Sequence, residues 1–482
     1  MHLIQPELHT RRAFLRRSTQ LGLAGTALPF ALNLAAMGEA AAFTANDYKA
    51  LVCVFLYGGN DYANTMVTYD NDSYNRYATI RGGNGQAGGG IAIPKADLTA
   101  TLLDPTVPLA SGRKYAMHPA MTGMANLFNT GKAAVQLNVG PLIVPLTRTQ
   151  YNSSNRALYP IPPKLFSHND QQSVWQSSSP EGSTVGWGGN LGDLALSSNS
   201  NSLFTCISVT GNAVFLSGDS ALSYQVSTGG AIAINGVKSS VYGSSAVRTA
   251  LTSLIQQPQS HLLENVYNNV TKRAIASESQ INTALTGMTL ATAFPTNNSL
   301  ADQLKMVARL IGARSTLGSK RQVFMVSLGG FDLHDNLIAQ QPTQMKRVSD
   351  AMTAFYDATV ELGVADKVTA FTASDFGRTL NSNGDGSDHG WGSHHFMVGG
   401  AVKGKALYGK APPVSNTNST TDAADQWHVG QGRLLPSTSV DQYAGTLAKW
   451  FGVANTELAG VLPNLSHFGG ADYPTDLGFM AA

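Results

Sequence analysis

Cysteine is nearly missing from this 482-residue chain, which has only two, Cys53 and Cys206. Two thiols exclude a cysteine-rich metal cage and allow at most one disulfide. Cys53 sits inside an apolar run, where a buried thiol is expected. An exported chain could pair it with Cys206, and both alternatives stand at this point. Charge is sparse too, at 13% of residues, with 32 Lys+Arg against 30 Asp+Glu. Such a balance leaves no electrostatic footprint for nucleic acid or an anionic membrane, so neither is expected as a partner. Beyond the N-terminus, no apolar run reaches the ~18 residues of a membrane span. No internal repeat is present. The glycine-rich stretch Gly82 to Gly90 lacks the strand-then-helix setting of a dinucleotide fingerprint, which argues against a nicotinamide or flavin oxidoreductase.

The N-terminus carries the clearest local pattern. "TRRAFLRRS" (Thr10 to Ser18) is followed by the apolar run Leu21 to Met37 and the small-residue site Ala40-Ala41-Ala42. A charged region, an apolar region and a cleavage site in that order predict an export signal over residues 1–42. Arg11-Arg12 with Phe14-Leu15 resembles a twin-arginine signal. Its removal would take Lys+Arg from 32 to 28 (four arginines) and Asp+Glu from 30 to 28 (Glu7 and Glu39). The expected mature protein is close to neutral, is periplasmic or secreted, and has no stable membrane insertion.

The apolar runs predict an α/β fold. "LVCVFLYGG" (Leu51 to Gly59) is a continuous apolar run closed by Gly-Gly, the pattern of a strand buried on both faces of a parallel sheet. Runs at Ala133 to Gly140, Gln322 to Gly330, Lys367 to Ser374 and Phe396 to Val402 read the same way. Between them, Leu304 to Ala313 and Met345 to Leu362 place apolar residues at a period near 3.6, and Ser439 to Val453 is amphipathic. Alternating strands and helices imply a mostly parallel sheet flanked by helices. Residues from about 151 to 300 differ, with short β-like runs among Ser and Gly turns and then helical stretches. They are expected to be an insertion or cap, or else interior hairpins of the one domain. "GWGGNLGD" (Gly186 to Asp193) reads as a tight turn.

Polar clusters stand immediately past the strand-like runs. Asp61 follows the first. Asp332, His334 and Asp335 follow the run at Gln322. Asp375 and Arg378 follow the run at Lys367, and "SDHGWGSHH" comes later in the same loop. In open α/β sheets ligands bind in the crevice outside the carboxyl ends of the strands, so these residues can converge. His2 and His9 fall in the export segment, leaving nine of the 11 histidines. Three of those nine, His389, His394 and His395, lie within seven residues. Mixed carboxylate and imidazole donors suit Zn²⁺, Mn²⁺ or Fe²⁺. In "FSHNDQQSVWQS" (Phe166 to Ser177), Ser167, His168 and Asp170 are candidates for a nucleophile, a ligand or a substrate contact. Arg378 is a candidate oxyanion clamp, because a guanidinium matches phosphate and sulfate geometry.

On "FLYGGND", "MHPAM", "SHNDQQ", "GGFDLHDN", "SDFGRT", "SDHG", "GGAVKG" and "DQYAGTLAKWFGV", the chain resembles an exported bacterial family known as domain of unknown function 1501. That family is in turn similar to the alkaline phosphatase and sulfatase superfamily. The resemblance implies an alkaline phosphatase-like fold and hydrolysis of phosphate or sulfate esters with one or two divalent metals, zinc or manganese. It also implies metal-ligand roles for Asp332, His334 and His389 at one ion, and for Asp61 and Asp375 at a second. The chain departs from the superfamily at Phe376, where the step after Asp375 is ordinarily His. No motif marks the nucleophile, and Ser167 is the choice that the neighbouring His168 and Asp170 favour. The alternative is a non-catalytic cell-envelope protein that keeps the fold with a degraded metal site.

Overall fold

The computed structural model describes residues 45–82 and 90–481. The expected export signal lies outside these, as does most of the glycine-rich stretch. Twelve strands follow in chain order: β1 (Lys49–Leu56), β2 (Met66–Thr68), β3 (Tyr115–Met117), β4 (Ala133–Gly140), β5 (Cys206–Ser208), β6 (Ser223–Ser227), β7 (Gly230–Ala231), β8 (Arg321–Leu328), β9 (Val368–Ser374), β10 (Ser393–Val398), β11 (Leu407–Tyr408) and β12 (Thr438–Ser439). Ten of them form one sheet in the order β11-β4-β10-β9-β1-β8-β5-β6-β7, with β12 beside β4, while β2 and β3 pair separately. The pairings of β1 with β8 and β9, and of β5 with β8 and β6, are parallel. The fold is therefore the expected α/β class, a mostly parallel sheet between helices.

The helices that matter for packing are α1 (His168–Ser177), α2 (Trp187–Ala195), α3 (Leu262–Leu285), α4 (Ser299–Gly312), α5 (Leu337–Glu361) and α6 (Val440–Phe451). Strand alternation splits β1 between two cores. Ala50, Val52, Val54 and Leu56 join Leu304, Val307 and Ile311 of α4 and Met345, Val348 and Phe355 of α5. Leu51, Cys53 and Phe55 join Leu191 of α2 and Tyr443, Leu447 and Phe451 of α6 on the other face. This explains the unbroken apolar run: both sides of the strand are covered, and each large aliphatic side chain so buried contributes ~1.5–3 kcal/mol. A capping box starts α6. The Ser439 hydroxyl accepts from the Gln442 amide at 2.9 Å, and the Gln442 side chain accepts from the Ser439 amide at 2.9 Å.

Register brings the strand ends together. Leu56 lies opposite both Leu328 and Ser374. The segments after β1, β8 and β9 therefore leave the sheet at one level, and those segments carry Asp61, Asp332 and Asp375. At Gly58, with φ +117°, an added Cβ would lie 2.4 Å from the Asp332 amide nitrogen. The closing Gly-Gly lets the two loops touch.

The structure bears on several of these sequence readings. Cys53 and Cys206 are both free and buried. They sit on β1 and β5 with β8 between them, at least two strand spacings or ~9.6 Å apart, which is beyond disulfide reach. The run at Phe396 belongs to a strand that starts at Ser393 and is antiparallel to both neighbours. His394 and His395 are thus strand residues, 2% and 1% exposed, rather than members of a polar loop. "GWGGNLGD" is helical, within α2. Within the segment expected to be an insertion or interior hairpins, β5, β6 and β7 extend the main sheet, and Ile281, Ala284 and Leu285 of α3 join its core. None of the described helices is long and apolar enough to cross a membrane.

Candidate functional site

Asp332 stands where three imidazoles meet. The Nε2 of His334 is 3.1 Å and that of His389 is 3.3 Å from Asp332 Oδ1, and the Nε2 of His168 is 3.5 Å from Oδ2. His334 and His389 approach each other Nε2 to Nε2 at 2.9 Å. His168, Asp332 and His389 offer ligand atoms that all lie within 4.8 Å of one another, a set of the metal-binding type. His334 reaches two members of that set.

Each imidazole is held from behind through Nδ1. His168 Nδ1 meets Asp375 Oδ2 at 2.6 Å, His389 Nδ1 meets the Phe166 carbonyl at 2.7 Å, and His334 Nδ1 meets Asp388 Oδ1 at 3.3 Å. Carbonyl and carboxylate oxygens only accept, so in a neutral ring the Nδ1 carries the proton and the Nε2 carries a lone pair. Three lone pairs then face one another and a carboxylate. That arrangement is repulsive unless a cation or additional protons lie among them. Among the described residues, His168 Nε2 is buried and has no hydrogen-bond partner. In a tetrahedral zinc site, ligand atoms at 2.0–2.1 Å from the metal are ~3.3 Å apart. The separations from Asp332 to His168 and His389 are close to that, so the donor set fits a divalent cation.

The folding of the chain around the cluster explains its geometry. The loop after β9 doubles back as a tight hairpin: Arg378 bridges His389, and the Gly377 and Gly390 amides donate to the Trp391 and Gly377 carbonyls. This turns His389 towards Asp332. A Cβ at Gly386 would lie 2.2 Å from the His334 carbonyl carbon, so only glycine lets that hairpin lie against the Asp332–His334 loop. Phe376 is buried, with its ring 4.8 Å from that of His168 and 4.6 Å from that of His389. It packs against two imidazoles.

Electrostatics divide the cluster. The hydrogen bond that His168 donates to Asp375 raises the His168 pKa above the ordinary value and outweighs burial. Burial lowers that of His389, against the carbonyl of Phe166 and the charge of Asp332. Burial alone would raise the Asp332 pKa. The hydrogen bond and charge of Arg378, helped by His334 and His168, overcome it and hold the group below the usual carboxylate range.

The sequence candidates separate on this geometry. Asp332, His334 and His389 come together. Asp375 is adjacent but not in the ligand set: besides His168, it accepts from Gln172 Nε2 at 2.8 Å and from the Gly58 amide at 3.2 Å. It orients His168 rather than offering an oxygen to a cation. Asp61 is corrected more strongly. It is 2% exposed and accepts from Arg81 at 2.8 Å, Ser387 Oγ at 2.6 Å and the Asn64 amide at 2.9 Å. Its charge and lone pairs are engaged, so it is a buried ion pair that anchors Ser387. Arg378 is not a free clamp. It is fully buried; Nε and Nη2 donate to the Ser387 carbonyl and Nη1 to the Gly58 carbonyl and Asp332. Ser167 donates to Asp170 at 2.9 Å and lies just before α1, which leaves its nucleophile role without geometric support. The sequence reading did not carry His168 through as a ligand, although "SH" before a helix was the available signal. Asp388 as its counterpart behind His334 was also missed.

These contacts make a testable prediction for Asp375. Asp375→Asn keeps an acceptor but removes the charge behind His168, and is expected to weaken divalent-cation affinity about 10–100-fold. Competition titration against a chromogenic chelator measures this, and an unchanged affinity would remove Asp375 from the site.

Solved structures that resemble this chain include distant ones. The crystal structure of Ps i-CgsB in complex with a neocarrahexaose aligns at 10% identity and TM-score 0.35, covering 89% of this chain and 78% of the other. A protein of glycosaminoglycan metabolism from Bacteroides thetaiotaomicron aligns at 9% identity and TM-score 0.33, covering 84% and 73%. No curated protein matches. The family model described as "Protein of unknown function (DUF1501)" matches residues 48–431, well over half of the sequence, and the chain belongs to that family.

Proposed function

We propose that this protein is an exported, metal-dependent hydrolase of phosphate or sulfate esters, working in the periplasm or outside the cell. It would hold one divalent cation, zinc or manganese, at His168, Asp332 and His389, with His334 beside them. The observation that carries this reading is the inward convergence of three Nε2 atoms on one carboxylate, each ring being fixed through Nδ1 by an oxygen. A bound cation would polarise an ester oxygen and acidify a water. The residues of this chain would supply the rest: Asp375 and the Phe166 carbonyl keep two rings aimed, and Arg378 keeps Asp332 ionised and in place. Asp61 and Phe376 give no support to a second ion, so a single cation is the form favoured here.

The test is elemental analysis of the purified, folded protein, followed by assays on aryl phosphate and aryl sulfate esters with added Zn²⁺ or Mn²⁺. About one equivalent of metal per chain and chelator-sensitive hydrolysis are expected. The engagement of Ser167 with Asp170 favours the second reading, a binding or assembly protein of the cell envelope. Metal-free protein that is inactive on every ester would count against the hydrolase and favour that reading.

A further inference from the structure

Arg433 lies against the cluster with part of its guanidinium uncommitted. Its Nε donates to the His389 carbonyl at 2.7 Å, and its guanidinium carbon lies 5.3 Å from the centre of the Phe166 ring. The Phe166 carbonyl in turn holds His389 Nδ1. The three residues interlock, so the position of Arg433 is tied to that of a proposed ligand. Asp388, which backs His334, is the carboxylate whose charge acts on Arg433. Arg433 is half-buried. Its two terminal nitrogens make no hydrogen bond among the described residues and are not sealed from solvent. Arg378 differs on each point: it is fully enclosed, and carbonyls and Asp332 take up its donors.

We infer that Arg433 binds the oxyanion of the substrate, a tetrahedral phosphate or sulfate group, beside the cation. This rests on the reading of the cluster as a metal centre. A guanidinium held at Nε and stacked on an aromatic ring presents its remaining N–H groups in a fixed fork, and two such donors match two oxygens of a phosphoryl or sulfuryl group. Little side-chain entropy remains to be lost on binding, because Phe166 and the His389 carbonyl already restrain the arginine. The position also suits the chemistry. The ester oxygens would lie between a cation and a fixed positive group, where negative charge gathers during displacement.

The experiment uses the zinc-loaded full protein and two probes, inorganic phosphate and inorganic sulfate, titrated calorimetrically. Arg433→Met is expected to weaken binding of the preferred anion on the order of 10- to 100-fold, with zinc per chain unchanged. Arg433→Lys, which keeps the charge and loses the fork, is expected to fall between. With an ester substrate, the same factor should appear chiefly in KM. The stronger of the two probes identifies the ester class. Equal anion affinity in Arg433→Met overturns the inference. Loss of zinc in that variant overturns it as well, because Arg433 would then act only by positioning His389. Wild-type protein that takes up no zinc refutes the metal centre itself, a result separable from both.

Discussion

Asp332→Asn is expected to lower divalent-cation affinity by at least about 100-fold, beyond what loss of an orienting partner such as Asp375 produces. His389→Ala should match it. Asp332 is in contact with all three imidazoles. Its charge offsets that of the cation, while the rings contribute neutral nitrogens. The substitution to Asn is nearly isosteric and leaves an oxygen for Arg378. The carboxylate is 46% exposed but Arg378 is fully buried, so removing the charge leaves a buried guanidinium without its ionised partner and costs some stability. The variant should therefore melt below the wild type in chelator, and the gap should widen in zinc, where only the wild type gains stability through binding. Calorimetric melting with and without zinc measures this. If Asp332→Asn shows the same zinc-dependent shift as the wild type, the cluster is a hydrogen-bonded knot and the proposed hydrolase loses its centre.

The fold was legible in the sequence wherever burial was two-sided or periodic. β4 runs from Ala133 to Gly140 as read. β1, β8 and β9 differ from their predicted runs chiefly at the ends, where Gly and polar residues leave the sheet. The carboxyl-end rule led directly to Asp332, His334 and His389, because parallel register aligns the loops that carry them. It misplaced Asp61 for a physical reason: strand-end position does not reveal that Arg81, 20 residues on, folds back to neutralise it. His394 and His395 misled because clustered histidines resemble ligands in sequence. Only the antiparallel pairing of β10 shows that both point into packed interior. α1 and α2 were missed because they are short, and Gly188, Gly189 and Gly192 in α2 look like turn residues. In the structure the glycines of α2 allow close approach: a Cβ at Gly189 would lie 2.1 Å from the Ser217 backbone.

Those two buried histidines set the second large effect, a steep loss of stability in mild acid. His394 Nδ1 accepts the Asn138 amide at 3.0 Å where β4 and β10 pair irregularly. A proton on Nδ1 would turn that hydrogen bond into a clash of donors. His395 is packed against Trp175 and Tyr443, and its Nε2 is buried without a partner. Burial pushes the pKa of each down to about 3, and that of His118 down to about 4, from 6.5. Below 6.5 the unfolded chain takes up three protons that the folded chain refuses, so this contribution to stability is present above pH 6.5 and is lost as pH falls towards 3. Asp441 opposes it. Burial raises its carboxyl from 3.8 to about 6, so between those values the folded state holds one additional proton. For these four groups three minus one leaves two, and their contribution to unfolding free energy near pH 5 should fall by ~2.7 kcal/mol per pH unit. Denaturant titrations at pH 5.5, 5.0 and 4.5 measure the slope. His395→Phe preserves the aromatic packing and removes one titrating group, so its slope should be shallower by ~1.4 kcal/mol per pH unit. A slope identical to that of the wild type would mean that His395 takes up its proton in the folded protein, and that the core around Trp175 admits charge.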